Sequence, residues 1–184
     1  MPRSDYSGKE ESLTWINEFK PKTILDIGAG AGTYGILLRN SGYQVDKLDC
    51  LEIFEPNINQ FGLKNLYNYI YPIDVREWED FNYDLVIFGD VLEHMTKEEA
   101  LAVWDKCSKQ AKHALISIPI VHLPQHDHEE YYDEYQKVLI NKYEDHIKDD
   151  WSTQEVLDSF SHITRHVPYE YIGIFWAEFN STDE

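Results

Sequence analysis

The chain has 184 residues, which is room for one domain and not for a second core of ordinary size. Its 34 acidic and 16 basic side chains give a formal charge of −18. Such a surface repels nucleic-acid phosphates and anionic membranes, but a small anionic substrate is not excluded, because fields fade beyond roughly 8–10 Å at physiological salt.

The first predicted element is a helix over about Lys9–Lys20. Ser7 and Glu10 have capping-box spacing, Leu13, Trp15, Ile16 and Phe19 form its apolar face, and Pro21 ends it. A strand follows at Thr23–Ile27, then glycines at 28, 30, 32 and 35 and a helix to about Asn40 that Gly42 stops. Tyr43–Ile53 reads as a second strand, with Leu48 and Cys50 on one face and Glu52 at its end. Pro56 opens a short helix through Phe61, and Leu66–Ile73 is a third strand ending at Asp74. Tyr83–Phe88 is a continuous apolar run, as a strand covered on both faces requires, and it ends in Gly89-Asp90.

Thr96 and Glu99 form a second capping box for a helix to about Lys112, and His113–Ile120 is the fifth strand. Val121–Asp150 is polar, aromatic and His-rich, and reads as a long insertion or lid with room for one helix. Ser152 and Glu155 cap a further helix to Phe160. The β-rich runs His162–His166 and Tyr171–Phe179 flank Pro168 as an antiparallel pair. Strands alternating with helices, then a closing hairpin, predict a three-layer αβα sandwich in one domain over residues 1–184. Met1–Lys9 has no signal-peptide character, the longest apolar runs are too short for a bilayer, and Cys50 and Cys107 read as buried and reduced. A cytoplasmic protein is expected.

Ligands of such sheets sit at the carboxyl ends of the strands, beside the first strand. The turn after Ile27 has glycines that let the backbone approach a ligand closely, and a helix start with free N–H groups. Gly30-x-Gly32-x-x-Gly35 fits a dinucleotide fingerprint. Against NAD, an extra Gly28 precedes the fingerprint, and Asp26 would repel a pyrophosphate while suiting a ligand with an ammonium and a sulfonium.

The stretch L-D-I-G-A-G-A-G over residues 25–32 resembles the first motif of class I S-adenosylmethionine-dependent methyltransferases, and the similarity continues in order through most of residues 9–120 and, more loosely, to Tyr143-Glu-Asp-His146, Trp151 and the final strand pair. The resemblance implies a seven-stranded, mostly parallel sheet of order 3-2-1-4-5-7-6 with strand 7 antiparallel. It implies S-adenosyl-L-methionine as cofactor, with S-adenosyl-L-homocysteine as product. Asp26, Gly28, Ala29, Gly30, Gly32 and Tyr34 would surround the amino-acid end. Glu52, followed by Ile53, would grip both ribose hydroxyls, as a bidentate carboxylate can. It lies 24 residues after Gly28, near the ~20 expected of a ribose acid. Asp74-Val75 matches the pair that reads adenine. In G-D-V-L-E-H, Gly89, Asp90 and Val91 would line the cofactor, with His94 near the reacting end.

His94 fits two roles: a general base, or a structural residue bonded to the backbone that shapes the pocket. Methyl transfer favours the second, since positioning supplies about 7–11 kcal/mol against about 3–5 from a base. His122, just past the fifth strand, is expected to face the pocket and touch the acceptor. His146 and Trp151 are expected to buttress the lid. His122, His126 and His128, with Asp127, Glu129 and Asp133 nearby, have the residue types of a divalent metal site, but no regular element fixes their spacing, so they are read as solvent-facing lid residues and no metal ligand is assigned. Tyr131, Tyr132 and Tyr135 fit either a substrate-selecting wall or a surface packing on a second copy in a homo-oligomer.

The absence of D-P-P-Y or N-P-P-Y after the fourth strand, and of a strand-end Pro-Cys, argues against DNA methylation. The expected acceptor is a small-molecule hydroxyl or amine. The alternatives are a catalytically silent cofactor-binding module and a protein or peptide methyltransferase.

Overall fold

The computed structural model describes residues 6–125 and 129–179. The parallel strands β1 (Thr23–Ile27), β2 (Lys47–Leu51), β3 (Ile70–Tyr71), β4 (Leu85–Gly89) and β5 (His113–Pro119) alternate with helices. These helices are α1 (Lys9–Phe19), α2 (Thr33–Asn40), α3 (Pro56–Gln60) and α4 (Lys97–Ser108). A small hairpin of β6 (Glu129–Tyr132) and β7 (Val138–Asn141) interrupts the series before α5 (Thr153–Ser159), β8 (Ile163–Pro168) and β9 (Ile172–Glu178).

The main sheet has seven strands in the order β3-β2-β1-β4-β5-β9-β8, with β9 antiparallel to both neighbours. Leaving out the separate hairpin, this is the expected order 3-2-1-4-5-7-6. The central strands are covered on both faces. Val86 and Phe88 of β4 pack with Trp104 of α4 and Phe160 after α5, while Leu85 and Ile87 pack with Trp15 and Ile16 of α1 and Leu38 of α2. The alternation along one strand therefore feeds two cores, each fully buried aliphatic or phenyl side chain contributing roughly 1.5–3 kcal/mol. Among the described residues, no helix is long and apolar enough to cross a membrane.

Several elements differ from expectation for local reasons. The N-cap of α1 is Gly8, in a left-handed conformation (φ 74°) without a side-chain cap bond, so the Ser7–Glu10 box does not open this helix. A Cβ at Gly8 would lie 2.1 Å from Ile174, so close packing against β9 selects the glycine. Strands β2 and β3 are shorter than expected because side chains replace part of the ladder: Asn68 Oδ1 accepts from the Leu48 N–H and Asp49 Oδ1 from that of Tyr69. Residues 121–150 contain the β6–β7 hairpin, not an α-helix, among their described residues.

The Thr96–Glu99 capping box is complete. That at Ser152 is half formed. Ser152 Oγ accepts from the Glu155 N–H, but the Glu155 carboxylate turns to Lys97 and Lys148.

Candidate active site

The carboxyl ends of β1, β2 and β4 and the returning segment 141–147 enclose a cavity of about 430 Å3, within the range of small-molecule sites. At its floor, β1 runs into Gly28, Ala29 and Gly30. Gly28 has φ 63°, and a Cβ there would meet Val91 Cγ2 at 2.7 Å. Both the backbone conformation and the space therefore demand glycine.

Glu52 closes one side. It is 4% exposed; its Oε2 accepts from the Gly30 N–H at 2.6 Å and its Oε1 from the Phe54 N–H at 2.8 Å. Burial raises its pKa, and these amide hydrogen bonds oppose the rise. The carboxylate thus occupies the anion-binding position of the turn, and its remaining lone pairs can still accept two hydroxyl protons. A pyrophosphate at this turn would face a carboxylate instead of a free amide.

Asp90 carries β4 into the opposite wall. It has a left-handed φ of 57°, which costs about 1–3 kcal/mol for a residue other than glycine. Ser117 holds it there: the Asp90 N–H donates to the Ser117 carbonyl at 2.8 Å, and Ser117 Oγ donates to Asp90 Oδ1 at 2.8 Å. Buried Lys9 of α1 reaches the same network through Ser117 Oγ at 3.4 Å and Tyr34 Oη at 3.1 Å. His94 ends the 3-10 turn Leu92–His94, its Nδ1 set 2.9 Å from the Asp145 carbonyl. Burial lowers its pKa to about 4, with that carbonyl opposing, so the ring is neutral at pH 7.

The structure brings Gly28, Ala29, Gly30, Glu52, Ile53, Asp74, Val75, Gly89, Asp90, Val91 and His94 to this one cavity, and leaves four of the expected residues off its wall. Asp26 is 2% exposed and lies behind the turn. The Gly35 N–H donates to Tyr67 Oη, which donates to Asp26 Oδ2 at 2.5 Å, so this acid pins the start of α2 to β1 instead of meeting a ligand. Desolvation raises its pKa to about 7 despite the Tyr67 bond. Gly32 and Tyr34 also lie behind the turn; a Cβ on Gly32 would meet Leu66 at 2.6 Å, so that glycine serves packing.

His122 does not face the cavity. Its side chain is 69% exposed and stands 3.8 Å from Asp149. His126, Asp127 and His128 of the other possible metal group lie outside the described residues.

Asp74 lines the wall, but its carboxylate caps the turn that follows, accepting from the Arg76 N–H and guanidinium. Burial would raise its pKa, yet these bonds outweigh it and hold it low. Arg76 continues to Glu99 of α4, so an amine reading Asp74 would compete with a guanidinium.

Sequence reasoning assigned no site role to Glu93, Arg76, Tyr143 or Glu144, which also line the cavity, and gave His146 only a buttressing role. Glu93 carried one available signal, an acid between apolar Leu92 and His94 in the V-L-E-H turn.

No protein-family model and no curated protein matches the chain by sequence. Solved structures do match. The N-terminal domain of EvdMO1 with S-adenosylhomocysteine bound superimposes with a TM-score of 0.64 at 12% identity, over 96% of this chain and 83% of that one. A 1,6-didemethyltoxoflavin N1-methyltransferase from Burkholderia thailandensis gives 0.61 at 13% identity, over 96% and 80%. Magnesium protoporphyrin IX methyltransferase from Synechocystis PCC 6803 gives 0.62 at 15%, over 94% and 82%.

The fold is that of the class I methyltransferases. In this methyltransferase fold the cavity occupies the switch point beside β1, where the sheet order reverses.

Proposed function

We propose that the chain is an S-adenosylmethionine-dependent methyltransferase that transfers a methyl group to a hydroxyl or amine of a small molecule. The observation that carries this reading is Glu52, a buried carboxylate held by the Gly30 and Phe54 amides at the wall of the switch-point cavity. That arrangement accepts ribose hydroxyls and disfavours a dinucleotide pyrophosphate. Asp90, on the opposite wall, favours a ligand that carries an ammonium and a sulfonium. The fold neighbours add weight, since the three described above act on or are named for small molecules or hold S-adenosylhomocysteine.

In this mechanism the acceptor's oxygen or nitrogen attacks the methyl carbon in line. The bond to that carbon forms as the carbon–sulfur bond breaks, the electron pair stays on sulfur, and the acceptor proton passes to solvent. The glycine turn and Glu52 hold the cofactor, with Val91 packed against Gly28. His94, neutral and fixed by the Asp145 carbonyl, shapes the space beyond the methyl group. The cavity continues past Asp90 to His94, Tyr143 and His146, which supports an enzyme over a silent binding module. We read the chain as one domain, with 121–150 as the lid over the acceptor. We place it in the cytoplasm, in keeping with its free, buried Cys50 and Cys107.

Incubation with methyl-labelled S-adenosylmethionine and a panel of small hydroxyl and amine compounds tests the reading. Label transferred to at least one acceptor, with S-adenosylhomocysteine formed in equal amount, is the expected result. Transfer only to peptides or nucleic acid would overturn the acceptor class.

A further inference from the structure

Few buried polar side-chain atoms among the described residues lack a hydrogen-bond partner, and the only carboxylate oxygen of that kind is Glu93 Oε2. Glu93 is 2% exposed. A buried carboxylate oxygen left unpartnered is costly, so it calls for a proton or a cation. Two histidines stand beside it. His94 precedes the returning segment by 51 residues and touches it through Nδ1 and the Asp145 carbonyl at 2.9 Å. His146 Nδ1 lies 2.7 Å from the Leu123 carbonyl.

A nitrogen that donates to a carbonyl carries the ring proton, so with Nδ1 on these carbonyls Nε2 is the nitrogen left to act as a ligand; the Asp90 backbone also lies against the His94 ring. Metal-ligating histidines are oriented in this way by their outer partners. The rings approach edge to face with centroids 5.1 Å apart. One donor atom from each of Glu93, His94 and His146 falls within 4.8 Å of the other two. Ligands bound at about 2.0–2.2 Å stand about 3–3.5 Å apart, so modest side-chain rotation closes the set. The backbone ties the two segments together, with the Ile147 and Lys148 N–H groups both donating to the Glu93 carbonyl at 2.8 and 3.0 Å.

We propose that Glu93, His94 and His146 form a binding site for a divalent first-row transition-metal ion, with its open coordination positions facing the cavity. Two imidazoles and one carboxylate suit Mn2+, Co2+ or Zn2+ better than Mg2+, which prefers an all-oxygen shell. The acidic side chains Asp90 and Glu144 lie close to Glu93 and favour a cation there, and Lys9 opposes them. Such an ion would polarise an acceptor oxygen, a role that rests on the methyl-transfer reading; the binding itself does not.

The test is titration of the chelator-stripped full chain with Co2+, followed by visible absorption and by metal analysis after dialysis. In parallel, S-adenosylhomocysteine binding is measured by calorimetry on the same samples. The expected result is one Co2+ per chain with a spectrum of nitrogen and oxygen ligation. E93Q and H146Q should each weaken it by at least about 100-fold, since even outer-shell partners are worth about 10–100-fold. S-adenosylhomocysteine should still bind both variants, so loss of the metal and loss of the cofactor reading are told apart. Thermal unfolding supplies a second measurement on the unmodified chain, whose midpoint should rise with Co2+ concentration. No stoichiometric Co2+ on the folded wild type would overturn the site. So would loss of the ion in a triple H122A, H126A and H128A variant but not in E93Q.

Discussion

The two walls of the cavity are built differently. On the β1–β2 wall the two buried carboxylates have their partners: the Gly30 and Phe54 amides bind Glu52, and behind the turn Tyr67 binds Asp26. On the β4 wall, Asp90 sits in a strained conformation, His94 is kept neutral and Glu93 Oε2 has no partner. Carboxylates bonded in advance hold their wall in one arrangement. A wall with strain and an unpartnered carboxyl oxygen leaves hydrogen-bonding capacity open. Strain of this sort concentrates at functional sites, and here it lies on the side away from the glycine turn.

That contrast can be broken from either side. The largest expected effect is at the satisfied wall. Glu52→Gln loses the charge-assisted bond to Gly30 and the bidentate acceptor together. Each such bond is worth about 1.5–3 kcal/mol, so S-adenosylhomocysteine affinity should fall by at least about 100-fold in calorimetry. An unchanged affinity would remove Glu52 from the site.

Asp26→Asn comes next, and its effect depends on pH. The folded chain keeps the Asp26 proton up to about pH 7, whereas the unfolded chain gives it up near pH 4. The unfolded state therefore binds fewer protons across this window, and this group's contribution to stability falls as pH rises from about 4 to 7. Asparagine keeps an acceptor for Tyr67 without a charge. It should raise stability by about 1–3 kcal/mol at pH 8 in urea unfolding, and the gain should vanish near pH 4. A gain that grows on acidification would contradict the buried placement of Asp26.

Gly28→Ala introduces a Cβ at a positive φ, 2.7 Å from Val91. It should cost about 1–3 kcal/mol in the same unfolding assay and weaken cofactor binding, because relief requires the two walls to part. The smallest effect is expected at His122, exposed and off the wall. His122→Ala should stay within about 0.5 kcal/mol in stability and leave methyl transfer unchanged within about twofold. A large loss would return it to the acceptor site.

The satisfied wall was legible in the sequence because its parts are local. A strand, a glycine turn and a helix are contiguous, and Glu52 is identified by its place at the end of the next strand. The misplacement of Asp26 was avoidable in principle. Along β1, Leu25 and Ile27 share one core while Ile24 shares the other, and the period of two puts Asp26 on the α2 side, under Tyr67. On the second wall Gly89, Asp90, Val91 and His94 were legible from the motif after β4, but Glu93 and the return of His146 were not. His146 reaches Glu93 and His94 only because an irregular segment folds back and is tied by main-chain bonds, such as the Ile147 N–H to the Glu93 carbonyl. No hydrophobic period marks such a return. Likewise, the short β3 depends on Asn68 and Asp49 side chains replacing ladder bonds, which strand propensity does not register.

Calorimetric titration of the folded chain with S-adenosylhomocysteine and, separately, with NADH tests the account most directly. Saturable binding of one S-adenosylhomocysteine per chain, lost in Glu52→Gln, with no heat from NADH, is the predicted result. Binding of NADH, with none of S-adenosylhomocysteine, would contradict it.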